Sequence, residues 1–408
     1  MKILHIVAGD LLDGAARGAY GLHLSLRDKG IHSVILSNSS SSYGDDGVVL
    51  SGKTIFDKLK NYFRRKFDKI FIKFYKNRKN YIFSTGMIGI KFKKLSEYKE
   101  ADIIHLHWIN DGMINIKDFY GVNKPIVWTI RDMWPFTGGC HYAMQCKGYQ
   151  QSCHYCPQLQ AKSKNNLASF ILKRKEKNLP KNIKLVGISH WITSKALESQ
   201  LFKNFDVRTI FNNVNCDIFS PIEKSIARSA LKINTRKKVI LCGASKLDEF
   251  YKGLDHYISA LEFLDQEKYF LCFFGNFDSE IIRNLGFEYI SFGYLTDPVS
   301  LKSLYSSADV FIAPSIMEAF GKTLAESMSC GTPVVCFDAT GPKDIVDHKV
   351  NGYRAEAFIP KDLANGIEWI VDSENYNELV NNAIQKAKNN FDSPLIAEQY
   401  IKLYRELL

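Results

Sequence analysis

The sequence predicts an α/β protein built from two doubly wound parallel-sheet domains that face each other across a cleft. Three observations carry that expectation. The chain has 408 residues, more than one ordinary core accommodates. Short runs such as Ile103-Ile104 and Leu185-Val186 are apolar on both faces, as strands of a helix-covered parallel sheet must be. The alternation of such strands with amphipathic helices fills the first half, pauses at turn formers clustered over residues 212–221, and then resumes.

Taken in order, the first strand is expected at residues 2–7. The helix after it follows Gly14 and ends near Gly30, a residue suited to the left-handed end of a helix. Further strands are expected at 33–37, 102–108, 126–130, 184–189 and 208–211. In the second half they are expected at 239–243, 269–275, 289–291, 310–314 and 333–337. Helices occupy the intervals, two more follow Pro360 and Ser373, and residues 397–408 read as a final amphipathic helix. The implied domains are 1–213 and 214–391, with 392–408 crossing back to the first. Doubly wound sheets bind ligands beyond the carboxyl ends of their strands, so the chemistry belongs in the loops that leave those ends.

At 46% hydrophobic and 24% charged residues the composition is that of a globular chain and excludes disorder. No apolar run reaches the length of a membrane-spanning helix. The start, Met1-Lys2-Ile3-Leu4-His5-Ile6, reads as a buried strand and lacks the apolar length and cleavage site of a signal peptide. Nine cysteines without an export signal point to reduced thiols and a cytoplasmic location. Charge is concentrated: residues 53–79 hold eleven Lys or Arg against two Asp, so this segment carries +9 of the net +11. Such a patch suits a phosphate-rich partner, an anionic membrane surface or a nucleic acid. No helix-turn-helix or RNA-binding signature accompanies it, and nucleic acid is not the expected partner.

The most informative stretch is Ala313-Pro314-Ser315-Ile316-Met317-Glu318-Ala319-Phe320-Gly321-Lys322-Thr323-Leu324-Ala325-Glu326. A strand ends at Ser315, a short loop presents Glu318, and a helix begins near Gly321. Backbone N–H groups of Gly321, Lys322, Thr323 and Leu324 at the positive end of that helix make an anion site. A carboxylate just before it can accept hydrogen bonds from sugar hydroxyls, one inside the helix can hold a ribose, and Lys322 adds charge beside the phosphates. Two glutamates eight apart also occur on ordinary solvated helices. The combination of strand, loop and glycine-opened helix is what favours a binding site.

This E-x7-E pattern, within P-S-x-x-E-A-F-G-K-T-L-A-E, resembles the donor signature of glycosyltransferase family four. Gly331-Thr332-Pro333-Val334-Val335, Ala339-Thr340-Gly341-Pro342 and Asn351-Gly352 are similar to that family as well. In the first half, Gly14-Ala15-Ala16-Arg17, His105-Leu106-His107-Trp108 and the run from Asp132 to Cys140 resemble its branch that builds exopolysaccharides, capsules and O-antigens. The resemblance implies the GT-B architecture of two Rossmann-like domains, an acceptor-binding first domain and a nucleotide-sugar-binding second one. It implies a retaining transfer from a UDP- or GDP-linked sugar to a glycan acceptor, including a polyprenyl-diphosphate-linked one. Glu318 then contacts the donor sugar, Glu326 the ribose and Lys252 the diphosphate, with Phe320 inside the donor loop. Lys246 stands where a basic residue usually follows the preceding strand, and Gly14 lets backbone approach the phosphate and the reacting sugar. Arg131 stands where many relatives carry His; it cannot act as a base, yet it can hydrogen-bond the donor. Asp132 beside it reads as an acceptor contact or as a strand-end turn residue.

Charge dictates the mechanism. Cleavage leaves an oxocarbenium-like sugar and a nucleotide diphosphate whose negative charge must be stabilised. The sequence contains no D-x-D to hold a metal for that purpose. The helix N-terminus at Gly321, Lys252 and Lys246 are expected to do the work instead, with no catalytic cofactor. A rival reading is a sugar-nucleotide epimerase or hydrolase of the same architecture, and another is a non-catalytic membrane-binding protein that kept the fold.

Two further features stand apart. Cys140, Cys146, Cys153 and Cys156 fall within seventeen residues and end in C-x-x-C, a set that suits structural zinc, disulfides or plain thiols. The segment from Ile55 to Tyr75 places Phe56, Leu59, Phe63, Phe67, Ile70 and Phe74 on one helical stripe beside many bases. It is expected to lie as an amphipathic helix on the inner face of an anionic membrane, or else to pack that stripe into the core.

Overall fold

The computed structural model describes residues 1–12, 14–39, 47–52, 54–278 and 280–408, and of Ile281 the backbone alone. Lys53, the first base of the 53–79 run, lies outside the described residues. The chain divides into two compact units, Met1–Ile210 with Ala397–Leu408, and Phe211–Ile396.

Among the described residues the first unit is built on seven strands: β1 (Lys2–Val7), β2 (His32–Ser37), β3 (Val48–Leu50), β4 (Ile103–Leu106), β5 (Ile126–Ile130), β6 (Lys184–Gly187) and β7 (Val207–Thr209). They pair in parallel in the order β3-β2-β1-β4-β5-β6-β7, so the winding reverses between β1 and β4. β4 and β5 are buried along their whole length, which is why their sequences are apolar without alternation. The helix Gly14–Asp28 packs Ala16 and Ala19 against Val7 and Ile35. Near the end of the chain, Tyr400 and Tyr404 are buried against β4 and β5, through Thr129 and His105.

The second unit is built on β8 (Lys238–Lys246), β9 (Tyr269–Asn276), β10 (Tyr289–Ser291), β11 (Val310–Ala313), β12 (Val334–Phe337) and β13 (Gly352–Ala355). All pairings are parallel, in the order β10-β9-β8-β11-β12-β13, with the reversal between β8 and β11. Ile240, Phe273, Ile312 and Val335 from four of these strands share one core with Leu363 and Ile367 of the helix Pro360–Val371.

Two strands were not anticipated. β3 is a three-residue edge strand, too short to show a period. β13 begins at Gly352, where a Cβ would come 2.4 Å from the carbonyl oxygen of Val334, so close pairing with β12 excludes the branched residues that signal a strand. Strand ends also shift. β4 stops at Leu106 and not at Trp108, while β8 continues past Gly243 to Lys246 through an irregular register against β9.

The segment 55–75 is not one helix. An α-helix spans Ile55–Asp68, capped by Thr54, and a 3-10 turn follows at Ile70–Phe74. Asp68 ends the helix because its carboxylate is drawn inward, where Oδ1 accepts from Thr85 Oγ1 (2.6 Å) and from the backbone of Met87 (2.9 Å). The polar residues Asn61 and Asp68 are therefore the buried ones, and the aromatic stripe points outward.

Candidate active site

In the second unit, β11 ends at Ala313 and the chain turns through Pro314 to Phe320 into the helix Lys322–Ser329. Gly321 opens this helix at φ +105°, a conformation that favours glycine, and a Cβ there would also press on Leu324 at 2.8 Å. A second loop meets the first. Tyr251 O accepts from the backbone of Ile316 (3.0 Å) and Met317 (3.4 Å), and Gly253, at φ +67°, lies so close that a Cβ would overlap Pro314 O at 2.0 Å. That approach sets Lys252 Nζ 2.5 Å from Glu318 Oε2. A third loop closes in where Gly341 N donates to Glu318 O (2.9 Å). Thr340, just before it, is held at φ +52°, ψ −150°, a sparsely populated conformation of the sort that clusters at ligand sites. Lys252, Ser315 and Thr323 border one small depression at the carboxyl ends of β8 and β11, the place where doubly wound sheets bind ligands.

Other expected donor residues are placed differently. Glu326 is fully buried, its Oε2 accepting from Tyr305 OH at 3.2 Å. Lys322 Nζ donates to Asn213 O (2.7 Å) and lies 3.8 Å from Glu326 Oε1, so its charge is turned back along its own helix. The Phe320 ring packs between Phe211 and Phe391, leaving only backbone to meet a ligand. The N–H of Leu324 closes the first helical turn on Gly321 O (3.1 Å), which removes it from the anion site and leaves that role to the residues before it. Lys246 is exposed at the end of β8, 3.7 Å from Glu249. Tyr305 and Asn213 carry no sequence signal for these roles; they act through one hydroxyl and one carbonyl oxygen.

In the first unit, Gly14 starts its helix at φ +48° with open space where a Cβ would stand. Arg131 and Asp132 follow β5. Asp132 is engaged on both oxygens: Oδ1 accepts from the backbone of Trp134 (2.8 Å), and Oδ2 meets Trp108 Nε1 (2.8 Å) and His141 Nδ1 (2.6 Å). The first bond is the short-range turn that a strand-end aspartate makes. Arg131 is buried, which brings its guanidinium down to about 10, and it donates to His107 Nδ1 through Nε at 3.3 Å.

Behind Arg131 lies a group of imidazoles. His5, His105 and His107 are buried with ring nitrogens within 4.8 Å of one another, a spacing that could hold a metal ion. The hydrogen bonds argue otherwise. His107 Nε2 meets His5 Nδ1 at 2.9 Å, and His105 is held by Tyr404 OH (2.6 Å) and Thr129 Oγ1 (2.7 Å). With Nδ1 of His107 accepting from Arg131, its Nε2 carries the proton given to His5. Burial first, then mutual repulsion and the Arg131 charge, hold these histidines well below their usual value, so they are neutral. Neutral rings whose nitrogens, His5 Nε2 apart, are committed to partners, beside a fixed cation, suit a structural relay better than a metal.

The four clustered cysteines, Cys140, Cys146, Cys153 and Cys156, line one cavity in the first unit, and none forms a disulfide. Cys216, Cys242, Cys272, Cys330 and Cys336 are buried in the second unit. No described helix is long and apolar enough to cross a membrane.

Residues 223–390 match the family described as glycosyl transferases group 1. Over 230 residues the chain is 29% identical to an uncharacterized glycosyltransferase of Methanocaldococcus jannaschii, covering 52% of this chain and 58% of that one. It is 26% identical over 204 residues to the N,N'-diacetylbacillosaminyl-diphospho-undecaprenol alpha-1,3-N-acetylgalactosaminyltransferase of Campylobacter jejuni, covering 48% and 53%. The matched part thus spans little more than half the length of these two curated relatives. The fold is similar along the full length of both chains to Anabaena HepE, solved in complex with UDP and glucose, with a TM-score of 0.68 at 16% identity. Matching region, similar transferases and two parallel α/β units agree: residues 223–390 carry the pattern of the glycosyl transferases group 1, of the family-four type that its motifs resemble, and the chain has the GT-B fold.

Proposed function

We propose that the protein transfers a sugar, with retention of configuration, from a nucleotide diphosphate to a glycan acceptor in the synthesis of a surface polysaccharide. The second unit binds the donor and the first the acceptor. The observation that carries this reading is the meeting of Lys252, Glu318 and Gly341 around the glycine-opened helix at Gly321. A diphosphate at that helix end is stabilised by its N–H groups and by Lys252 as charge develops on the leaving group. Glu318 accepts from the sugar hydroxyls. The leaving phosphate takes the acceptor's proton, so no protein nucleophile is needed. Lys246, exposed and loosely paired, is free to swing toward the phosphates. Similarity to a solved protein that holds UDP supports a uridine donor, and similarity to a transferase named for a diphospho-undecaprenol substrate supports a lipid-linked acceptor.

The test is a thermal-shift panel of UDP- and GDP-sugars followed by a transfer assay. A donor at a hundred times its dissociation constant stabilises by about 2.7 kcal/mol. Transfer to a lipid-linked glycan establishes the reading, and donor turnover by water alone, unaffected by acceptors, replaces it with a hydrolase.

A lipid-linked acceptor requires the enzyme at the membrane, and we propose that the segment 55–75 docks on its anionic inner face. The supporting observation is the outward apolar stripe. Phe56 and Phe74 are 76% and 77% exposed, and Leu59, Phe63, Phe67 and Ile70 between them are also exposed. Lys58, Lys60, Lys66, Lys69 and Lys73 stand along the same segment, the composition of a helix lying at headgroup depth. An open cleft of about 580 Å3, lined by Phe71, Phe74, Phe170 and Lys173, adjoins it and suits a lipid chain with a charged head.

A further inference from the structure

Beyond Arg131 and Asp132, the loop between β5 and the helix Leu167–Asn178 brings four cysteines together. Cys140, Cys146, Cys153 and Cys156 line a cavity of about 20 Å3, and roughly 10–15 Å3 suffices for one water-sized particle. We propose that these four thiols hold a single zinc ion as a structural tetrathiolate site.

The sulfur surroundings support it. Backbone N–H groups are aimed at three of the four: Gly148 at Cys146 (3.3 Å), Gly138 at Cys153, and Gln158 with Leu159 at Cys156. Such donors favour a thiolate over a thiol. The loop reverses tightly to make these contacts, with Met144, Cys153, Tyr155 and Gln160 all at φ between 50° and 55° without being glycine. An amine is buried beside the cluster: Lys175 is fully buried and donates to Trp134 O and to Thr137 O (2.9 Å). A buried ammonium is costly without a counter-charge, and a tetrathiolate zinc centre carries two negative charges.

The interleaved histidines separate. His141 gives Nδ1 to Asp132 and Nε2 to Ser84 Oγ (2.9 Å), so it is no ligand, while His154 only borders the cavity. Among the described residues, the group with all ligand atoms within 4.8 Å of one another is the histidine trio and not the cysteines. Binding as proposed therefore requires the thiols to turn into the cavity they line. Four thiols plus one zinc ion give the tetrathiolate and four protons released to water. The bound ion fixes Cys140 and with it the next residue, His141, which holds Asp132.

The experiment uses the full chain, expressed with zinc in the medium and purified without chelator. Elemental analysis should find about one zinc per chain. The double variant Cys153→Ser, Cys156→Ser should hold less than about a tenth of that, and His154→Ala should keep it. If the double variant does not fold, wild type loaded with cobalt in place of zinc decides: thiolate-to-cobalt charge transfer with tetrahedral ligand-field bands supports the site. Metal-free wild type that takes up neither ion, or a Cys153–Cys156 disulfide found by mass spectrometry without reductant, overturns it.

Discussion

Lys252 Nζ and Glu318 Oε2 lie 2.5 Å apart although 66 residues separate them in the chain. The pair joins the residue assigned to the diphosphate with the one assigned to the sugar, so a bound donor must exchange their mutual bond for bonds to itself. A charge-assisted hydrogen bond is worth about 1.5–3 kcal/mol. Lys252→Ala should therefore weaken donor binding by about ten- to a hundredfold. Glu318→Ala should mainly lower kcat, because its proposed partner is the reacting sugar. Calorimetry of donor binding and steady-state kinetics separate the two. Wild-type transfer rates in both variants would remove these residues from the site.

Glu326 is buried beneath the helix end and held by Tyr305. Removing a partner from a buried polar group costs about 1–3 kcal/mol. Glu326→Ala should lower both stability and donor affinity. Tyr305→Phe should lower stability alone. Equal loss of donor affinity in the two variants, measured by titration with the same nucleotide sugar, would make Glu326 a structural residue.

Transfer should proceed without added magnesium or manganese, because in the proposed site the helix N-terminus and Lys252 take the place of a metal at the leaving group. The check is the initial rate in metal-free buffer against the rate with each ion. A strict dependence on either would sink the metal-free account.

The buried imidazoles make the first unit sensitive to acid. His5, His105 and His107 are held well below 6.5 in the folded chain. Above pH 6.5 both folded and unfolded forms are neutral, and these groups do not alter stability. Below it the unfolded chain binds protons that the folded one refuses, so stability falls by about 1.4 kcal/mol per pH unit for each imidazole. Urea unfolding at pH 7.5 and 5.5 should differ by about 4 kcal/mol if all three stay neutral. His5→Gln should reduce that difference by about a third. Equal stability at the two pH values would mean that the histidines take up protons as readily in the folded chain as in the unfolded one.

The membrane surface is tested by flotation. Wild type should rise with anionic liposomes at moderate salt and stay down with neutral ones. Phe63→Glu with Lys66→Glu should abolish flotation and leave the circular dichroism unchanged, because both side chains are exposed. Arg64 is the poorer target, since its guanidinium donates to the buried Asn61 at 2.7 Å. Wild type that never rises with anionic vesicles would leave the stripe without a membrane role.

The sequence by itself determined the fold class and made legible the strand–loop–helix unit proposed to hold the donor. Apolar runs such as 126–130 must be covered on both faces, so they announce a parallel sheet. Glu318, Gly321 and Glu326 belong to one strand–loop–helix unit whose spacing is legible in a line of text. Only the tertiary structure decided which face of the helix Ile55–Asp68 looks outward. The stripe of Phe56, Phe63 and Phe67 suits a core as well as a membrane, and what turned it out was the burial of Asn61 and Asp68, whose partners Ser51, Thr85 and Met87 lie elsewhere in the chain. The same holds for Lys252 with Glu318, for Tyr305 with Glu326, and for His105 with Tyr404, 299 residues away. Periodicity records which way a side chain faces along its own element, whereas a hydrogen bond between distant elements leaves no period in the sequence; it exists only once the sheets have brought the two groups together.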